Sequence, residues 1–332
     1  MKKLTFTFIL FALAQITFSQ VIKQNASVIV YDSKLSQIIP NEAQIEILAK
    51  GFEWTEGPLW LASENKLIFS DIPNNSIFEW SETGGIKLYL KPAGYLGKKP
   101  RGGEPGSNGL TLNSKNELVL CQHGERRMAK MKADLSNPKP EFEILSDNYK
   151  GKKLNSPNDA VFHKNGDLYF TDPPYGLEFR IEDPLKELDF QGVYKVDKTG
   201  AITLLTKELS RPNGIAFSLD YKKLYVANSD PENAIWMVYD VNEKGLLKNG
   251  KVFFDVTNKN TAVNGNPDGL KIHKNGWIFA TGPEGVHIFT PKGEHLGSIY
   301  TGEKTANCTF NSDYSALFIT ADDYLLRVKL RK

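Results

Sequence analysis

The chain has 332 residues, 40% of them hydrophobic and 24% charged, with a formal net charge of +2. That length suits one large closed β fold or two average domains. The near-balanced charge gives no electrostatic footprint for a nucleic acid or an acidic membrane, and two cysteines are too few for a disulfide framework.

Lys2 and Lys3 precede an apolar run from Leu4 to about Ile16, and small residues follow at Thr17-Phe18-Ser19. This pattern reads as a secretory signal over residues 1–20, which predicts a periplasmic or secreted mature protein. A membrane anchor is the alternative, but the run is too short to span well, and no later segment approaches a membrane span. Residues 21–42 match no repeat and are expected as a linker or as an added strand on the last blade. Cys121 and Cys308 fall in the second and sixth repeats and are expected as buried free thiols.

From residue 43 to 332 the chain reads as one domain of six related units. Each opens with a polar residue and a small or apolar one, alternates through a short strand, turns, and continues into a second strand. The openings are Glu56-Gly57-Pro58, Asn108-Gly109-Leu110, Asn158-Asp159-Ala160, Asn213-Gly214-Ile215, Asp268-Gly269-Leu270 and Asn307-Cys308-Thr309. The second strands include Leu67–Asp71, Leu118–Cys121, Leu168–Asp172, Leu224–Asn228, Trp277–Thr281 and Leu317–Thr320. They are rich in β-branched and aromatic residues, and Asn165-Gly166 and Asn275-Gly276 supply hairpin turns. Units of this length built from short strands predict an all-β, six-bladed β-propeller. An early strand, Ala43–Leu48, is expected to complete the last blade beside residues 307–310, 317–320 and 324–328, leaving no open edge.

In a propeller the first strand of each blade lines the central channel. The six opening residues Glu56, Asn108, Asn158, Asn213, Asp268 and Asn307 should therefore share one ring. All carry side-chain oxygen. Turn chemistry accounts for Asn before Gly but not for Glu56 or for the uniformity. Two carboxylates with several amides, and no ring histidine or cysteine, describe a hard-cation site in the channel; calcium fits better than zinc or magnesium.

Glu56-Gly57-Pro58, Ser156-Pro157-Asn158-Asp159, Pro212-Asn213-Gly214 and Pro267-Asp268-Gly269 together resemble the senescence-marker protein, gluconolactonase and luciferin-regenerating enzyme family, over about residues 53–330. Phe170–Gly176 and Cys121-Gln122-His123-Gly124 look closest to the bacterial gluconolactonases. The resemblance implies Glu56, Asn213 and Asp268 as metal ligands. It implies Asn158 as a ligand or a contact to substrate, and Asp268 also as general base. Asn108, His123, Asp172 and Tyr175 are expected as neighbours of the site, with Asn108, Asn158, Asp172 and Tyr175 binding substrate. Animal relatives place an arginine where Ser156 stands, so their sugar contacts do not carry over.

The implied reaction is calcium-dependent hydrolysis of a sugar lactone of the glucono-1,5-lactone type, another divalent cation being the alternative cofactor. A carboxylate bound to calcium is a poor base, which brings His123 forward as a second candidate for the catalytic proton acceptor. Two basic segments, Lys98–Arg101 and Lys150–Lys153, are candidates for a positive mouth, and Gly94–Gly106 for a lid. An organophosphate or other ester hydrolase on the same scaffold is the nearest competing reading, and a non-catalytic envelope binding propeller the competing class. No G-x-S-x-G elbow, H-E-x-x-H motif or P-loop is present.

Overall fold

The computed structural model describes residues 21–259 and 264–331. The signal segment read at 1–20 lies outside them. Among the described residues the strands form six antiparallel sheets of four or five strands, with one short hairpin, Asn148–Tyr149 and Lys152–Lys153, set apart. The fold is the expected six-bladed β-propeller.

Blade one shows the common pattern: Thr55–Leu61, Lys66–Asp71, Ser76–Ser81 and Gly85–Leu90 pair in that order. The first strands of the next five blades are Ser107–Leu112, Ala160–Phe162, Pro212–Phe217, Leu270–Ile272 and Thr305–Phe310. Each approaches the first strand of the blade before and after it, and that of blade six meets that of blade one.

The ring closes through an early strand, Ile45–Lys50, which begins two residues later than expected and pairs with Tyr324–Lys329. Charge reinforces this seam. Buried Arg327 donates to Glu46 at 2.6 Å and also pairs with Glu82, while Lys329 sits 2.9 Å from the other Glu46 oxygen. Residues 21–42 divide between two blades. Val21–Ile22 extends blade six along Ile45–Lys50, whereas Ser27–Val30 pairs with His295–Tyr300 on blade five. The second placement differs from the expected addition to the last blade. Leu35 and Ile39, both fully buried, hold the intervening turn in the core between blades five and six.

Apolar faces of adjacent blades fill the wedges between them. Between blades six and one, Trp60 stacks on Phe318 at 5.4 Å, with Leu67, Phe69, Trp80 and Leu325 around them. Each such side chain contributes about 1.5–3 kcal/mol on full burial. Cys121 and Cys308 lie in two different wedges, buried and free, and burial pushes the Cys308 thiol up to about 12.

Four of the six opening residues are followed by glycine, and the reason is close approach of neighbouring blades rather than a turn. A Cβ on Gly57, whose φ is +51°, would lie 2.2 Å from the Asn108 carbonyl oxygen; one on Gly214 would lie 2.2 Å from that of Asp268. One on Gly109 would lie 2.6 Å from the Asn158 carbonyl oxygen, and one on Gly269 would lie 2.0 Å from Cγ of the Asn307 side chain. Only glycine lets each first strand approach the opening residue of the next blade so closely. The ring is therefore narrow because of its sequence.

Candidate active site

At the opening residues the strand pairing is irregular. Register shifts fall between Glu56 and Leu59, Ser107 and Leu110, Pro212 and Ile215, and Thr305 and Asn307. Bulges of this kind turn a side chain out of the sheet's alternation, here toward the channel. Hydroxyls on the second strands fix the backbone. Ser70 donates to the Asn108 carbonyl at 2.9 Å, Thr171 to that of Asn213 at 2.7 Å, and Thr281 to that of Ala306 at 2.7 Å.

Glu56, Asn108, Asn158, Asn213 and Asp268 line a single cavity of about 290 Å³, together with Trp54, Glu104, Tyr175 and Ser229. Arg180 and Lys304, both exposed, also border it and mark its solvent side. Asn307, the sixth ring residue, does not line it. Its amide donates to Glu56 Oε2 at 3.3 Å, and its own oxygen accepts from the Cys308 N–H at 2.9 Å and from Lys271 at 3.3 Å. Asn307 thus supports Glu56 from behind. Asn213 donates to Ser229 Oγ at 2.8 Å, which leaves its carbonyl oxygen toward the other ring groups, and Ser229 in turn donates to the Pro267 carbonyl at 2.5 Å.

The electrostatics are those of carboxylates whose hydrogen bonds offset only part of the cost of burial. Burial pushes Glu56 up to about 8, against the opposing pull of the Gly57 N–H, with Asp159 adding to the rise. Burial, then the charges of Glu56 and Asp159, hold Asp268 well above the usual carboxylate range. Asp268 Oδ1 and Asn108 Oδ1 are buried without a hydrogen-bond donor. Among the described residues no three His, Cys, Asp or Glu side chains stand together as a metal-holding group. The donors that converge here are two carboxylates and amides. Oxygen donors lacking hydrogen bonds, and carboxylates whose charge is disfavoured, fit a hard cation that would neutralise both.

Two of the expected neighbours stand elsewhere. Asp172 does not line the cavity. It is fully buried, and its two oxygens accept from the backbone N–H groups of Asn155 and Ser156, each at 2.8 Å. Asp71 does the same for Glu53 and Trp54 in blade one, and Asn228 for Arg211 in blade four. Asp172 is therefore the blade-three copy of a clamp, shared with blades one and four, on the segment entering the first strand, and it stands away from the cavity wall where a substrate contact was expected. His123 is also fully buried and off the cavity wall. Its Nδ1 lies 3.3 Å from Glu104 Oε2, in contact but not aligned as a hydrogen bond, and Nε2 has no partner.

The family profile described as the SMP-30/Gluconolactonase/LRE-like region matches residues 54–323. The chain belongs to this family. A gluconolactonase from Zymomonas mobilis is 38% identical to it over 312 residues, covering 91% of this chain and 85% of that protein. The solved structure of a gluconolactonase from Xanthomonas campestris superposes with a TM-score of 0.81 at 27% identity, covering 96% of this chain and 99% of the other. That of a calcium-binding protein, regucalcin, from Agrobacterium tumefaciens has a TM-score of 0.66 at 18% identity, covering 86% and 93%, a likeness of fold. The chain is an enzyme of the gluconolactonase type.

Several residues that line the cavity or hold its backbone escaped the sequence reading. Ser70, Thr171 and Thr281 carried a usable signal, a hydroxyl at the same place in three second strands. Glu104, Trp54 and Arg180 carried none, since they lie in segments outside the repeated strands. The basic segments do not supply the cavity wall; the cations there are Arg180 and Lys304.

Proposed function

We propose that this enzyme hydrolyses a sugar lactone of the glucono-1,5-lactone type to its aldonic acid, using calcium held in the propeller channel. The observation that carries this reading is the cavity itself, where Glu56 and Asp268 converge with the Asn108, Asn158 and Asn213 amides, and three lining oxygens, Asn108 Oδ1, Asn266 Oδ1 and Asp268 Oδ1, lack donors. The relatives named gluconolactonases, at 38% and 27% identity, support the substrate class.

Glu56, Asn158, Asn213 and Asp268 are the residues that would hold the cation. When bound, it supplies Lewis-acid polarisation of the lactone carbonyl and charge stabilisation as negative charge develops on that oxygen. Asn108 Oδ1, free of donors, accepts from a sugar hydroxyl, and the Tyr175 phenol, whose ionisation burial suppresses, donates to another. Ser229 orients Asn213, and Asn307 orients Glu56. Arg180 and Lys304 set a positive rim that attracts polyhydroxy acids. Asp268 lies on the cavity wall where a base is needed, but a carboxylate committed to a cation binds protons weakly. His123 is off the wall. The reading also places the mature enzyme in the periplasm or outside the cell, supported by Lys2, Lys3 and the apolar run after them.

The test is pH-stat hydrolysis of glucono-1,5-lactone with the protein as isolated, after chelation, and after calcium is restored. Acid release well above the spontaneous rate, abolished by chelator and recovered with calcium, is expected. A rate equal to the spontaneous one in excess calcium would refute the assignment.

A further inference from the structure

Within the proposed lactone-hydrolysing cavity, and resting on that reading, we propose that Glu104 is the general base for the attacking water and His123 its positioning residue. Among the described residues, Glu104 is the one carboxylate on the cavity wall that does not belong to the ring of opening residues. Of the other acids nearby, Glu56 and Asp268 are the proposed cation donors, the charge of one acting on the other. Asp159 does not line the cavity; its Oδ1 accepts from the Ala160 N–H at 2.8 Å and its Oδ2 lies 3.9 Å from the Lys271 ammonium. Glu104 remains for proton chemistry.

The segment that presents Glu104 is anchored at both ends, which a base needs and a loose lid would not provide. Asn75 Oδ1 accepts from the N–H groups of Ala93, Gly94 and Tyr95 at 2.7–3.1 Å. Arg101 donates to the Gly124 carbonyl at 3.0 Å and also to that of Gly176. The Gly106 N–H donates to the Ile72 carbonyl at 2.9 Å. His123 is tied to the same segment. Its N–H donates to the Gly106 carbonyl at 3.1 Å, and the Gly124 N–H to that of Pro105 at 3.2 Å. Those bonds set Glu104 opposite the imidazole, with Oε2 at 3.3 Å from Nδ1. The imidazole has no aligned partner for either nitrogen, so it is free to close on Glu104 when substrate fills the cavity. The field of Glu104 also acts on Glu56, Asp268 and Tyr175, which places it within reach of the same space.

In the step, a Glu104 oxygen takes a proton from water as the water oxygen forms its bond to the lactone carbonyl carbon. On collapse the endocyclic C–O bond breaks, its electron pair goes to the ring oxygen, and Glu104 returns the proton there. The product is the open-chain hydroxy acid.

The experiment compares wild type, Glu104→Gln, Glu104→Asp, His123→Asn and the double variant Glu104→Gln/His123→Asn, each assayed on glucono-1,5-lactone in saturating calcium and titrated with calcium by calorimetry. Glu104→Gln is expected to lower kcat by about 10²–10⁴-fold, with KM and calcium affinity within about threefold of wild type, and Glu104→Asp to recover part of the loss. His123→Asn should lower kcat about tenfold, yet add nothing when Gln already stands at 104, as residues acting as one unit are non-additive. A merely structural histidine would lower the double variant further. Glu104→Gln retaining kcat within threefold, or losing calcium affinity, would overturn the base assignment while leaving the lactonase reading intact. An inactive wild type would overturn both.

Discussion

Asp172, within Phe170-Thr171-Asp172-Pro173 of blade three, and Asp268, within Asn266-Pro267-Asp268-Gly269 of blade five, are acids whose pKa burial raises, Asp172 to about 7. Their surroundings differ in two respects. Asp172 accepts two backbone N–H groups at 2.8 Å, whereas Asp268 has an oxygen with no donor and a second carboxylate, Glu56, acting against its charge. Burial alone therefore does not mark a functional acid. A buried carboxylate whose oxygens are satisfied by the backbone holds the fold; one left unsatisfied beside a like charge is suited to a ligand.

The largest expected effect breaks this contrast at the cavity. Asp268→Asn keeps the shape and removes the charge, so kcat/KM should fall by about 10³-fold. Relief of repulsion with Glu56 should leave the melting temperature of chelated protein unchanged or higher. Steady-state kinetics and thermal melts in chelator check the two halves. A large drop in stability would put Asp268 in the same class as Asp172.

At the clamp the opposite outcome is expected. Asp172→Ala strands two buried N–H groups and should cost about 3 kcal/mol in urea denaturation, with activity lost only in proportion to the unfolded fraction. Gly214→Ala should cost a similar amount, about 3 kcal/mol, since its Cβ would sit 2.2 Å from the Asp268 carbonyl and 2.7 Å from the Gly269 Cα. Unlike Asp172→Ala, it should also weaken calcium binding, because the displaced backbone carries Asp268.

A smaller effect separates blade five's outer edge from its channel end. His287 and His295 lie 3.4 Å apart beside Ser298, and His287 Nε2 donates to the Pro283 carbonyl at 2.8 Å. Burial lowers them to about 3 and about 4 respectively, each also disfavoured by the Lys259 charge. The folded state thus holds fewer protons than the unfolded one between about pH 6.5 and pH 4. Stability from this pair is full above 6.5 and is lost as the pH falls, by about 1.4 kcal/mol per unit for each histidine. Urea midpoints at pH 7 and pH 5 measure the slope, and His295→Phe, set among Tyr31, Phe254 and Phe289, should remove about half of the histidine part.

Repetition made much of this legible in the sequence. The six opening residues could be aligned with one another because each blade repeats one strand pattern, and five of them line the cavity. What the repeat could not convey was direction at the ends of strands. Asp172 sits beside the Pro173-Pro174-Tyr175-Gly176 turn and looked like its partner at the site, but the chain turns so that Tyr175 faces the cavity and Asp172 faces the backbone behind it. Gly57, Gly109, Gly214 and Gly269 prove to be contact points between blades, a long-range property that no local pattern contains. Glu104 belongs to no strand at all, and only the pairing of His123 and Gly124 with Pro105 and Gly106 reveals where it stands.

The most direct measurement is a calorimetric titration of calcium into chelator-stripped wild type, Asp268→Asn and Glu56→Gln. Micromolar-range binding by the wild type, weakened at least about 100-fold in both variants with the fold intact by circular dichroism, is the expected result. Equal calcium affinity in all three proteins would contradict a cation site built on these two carboxylates.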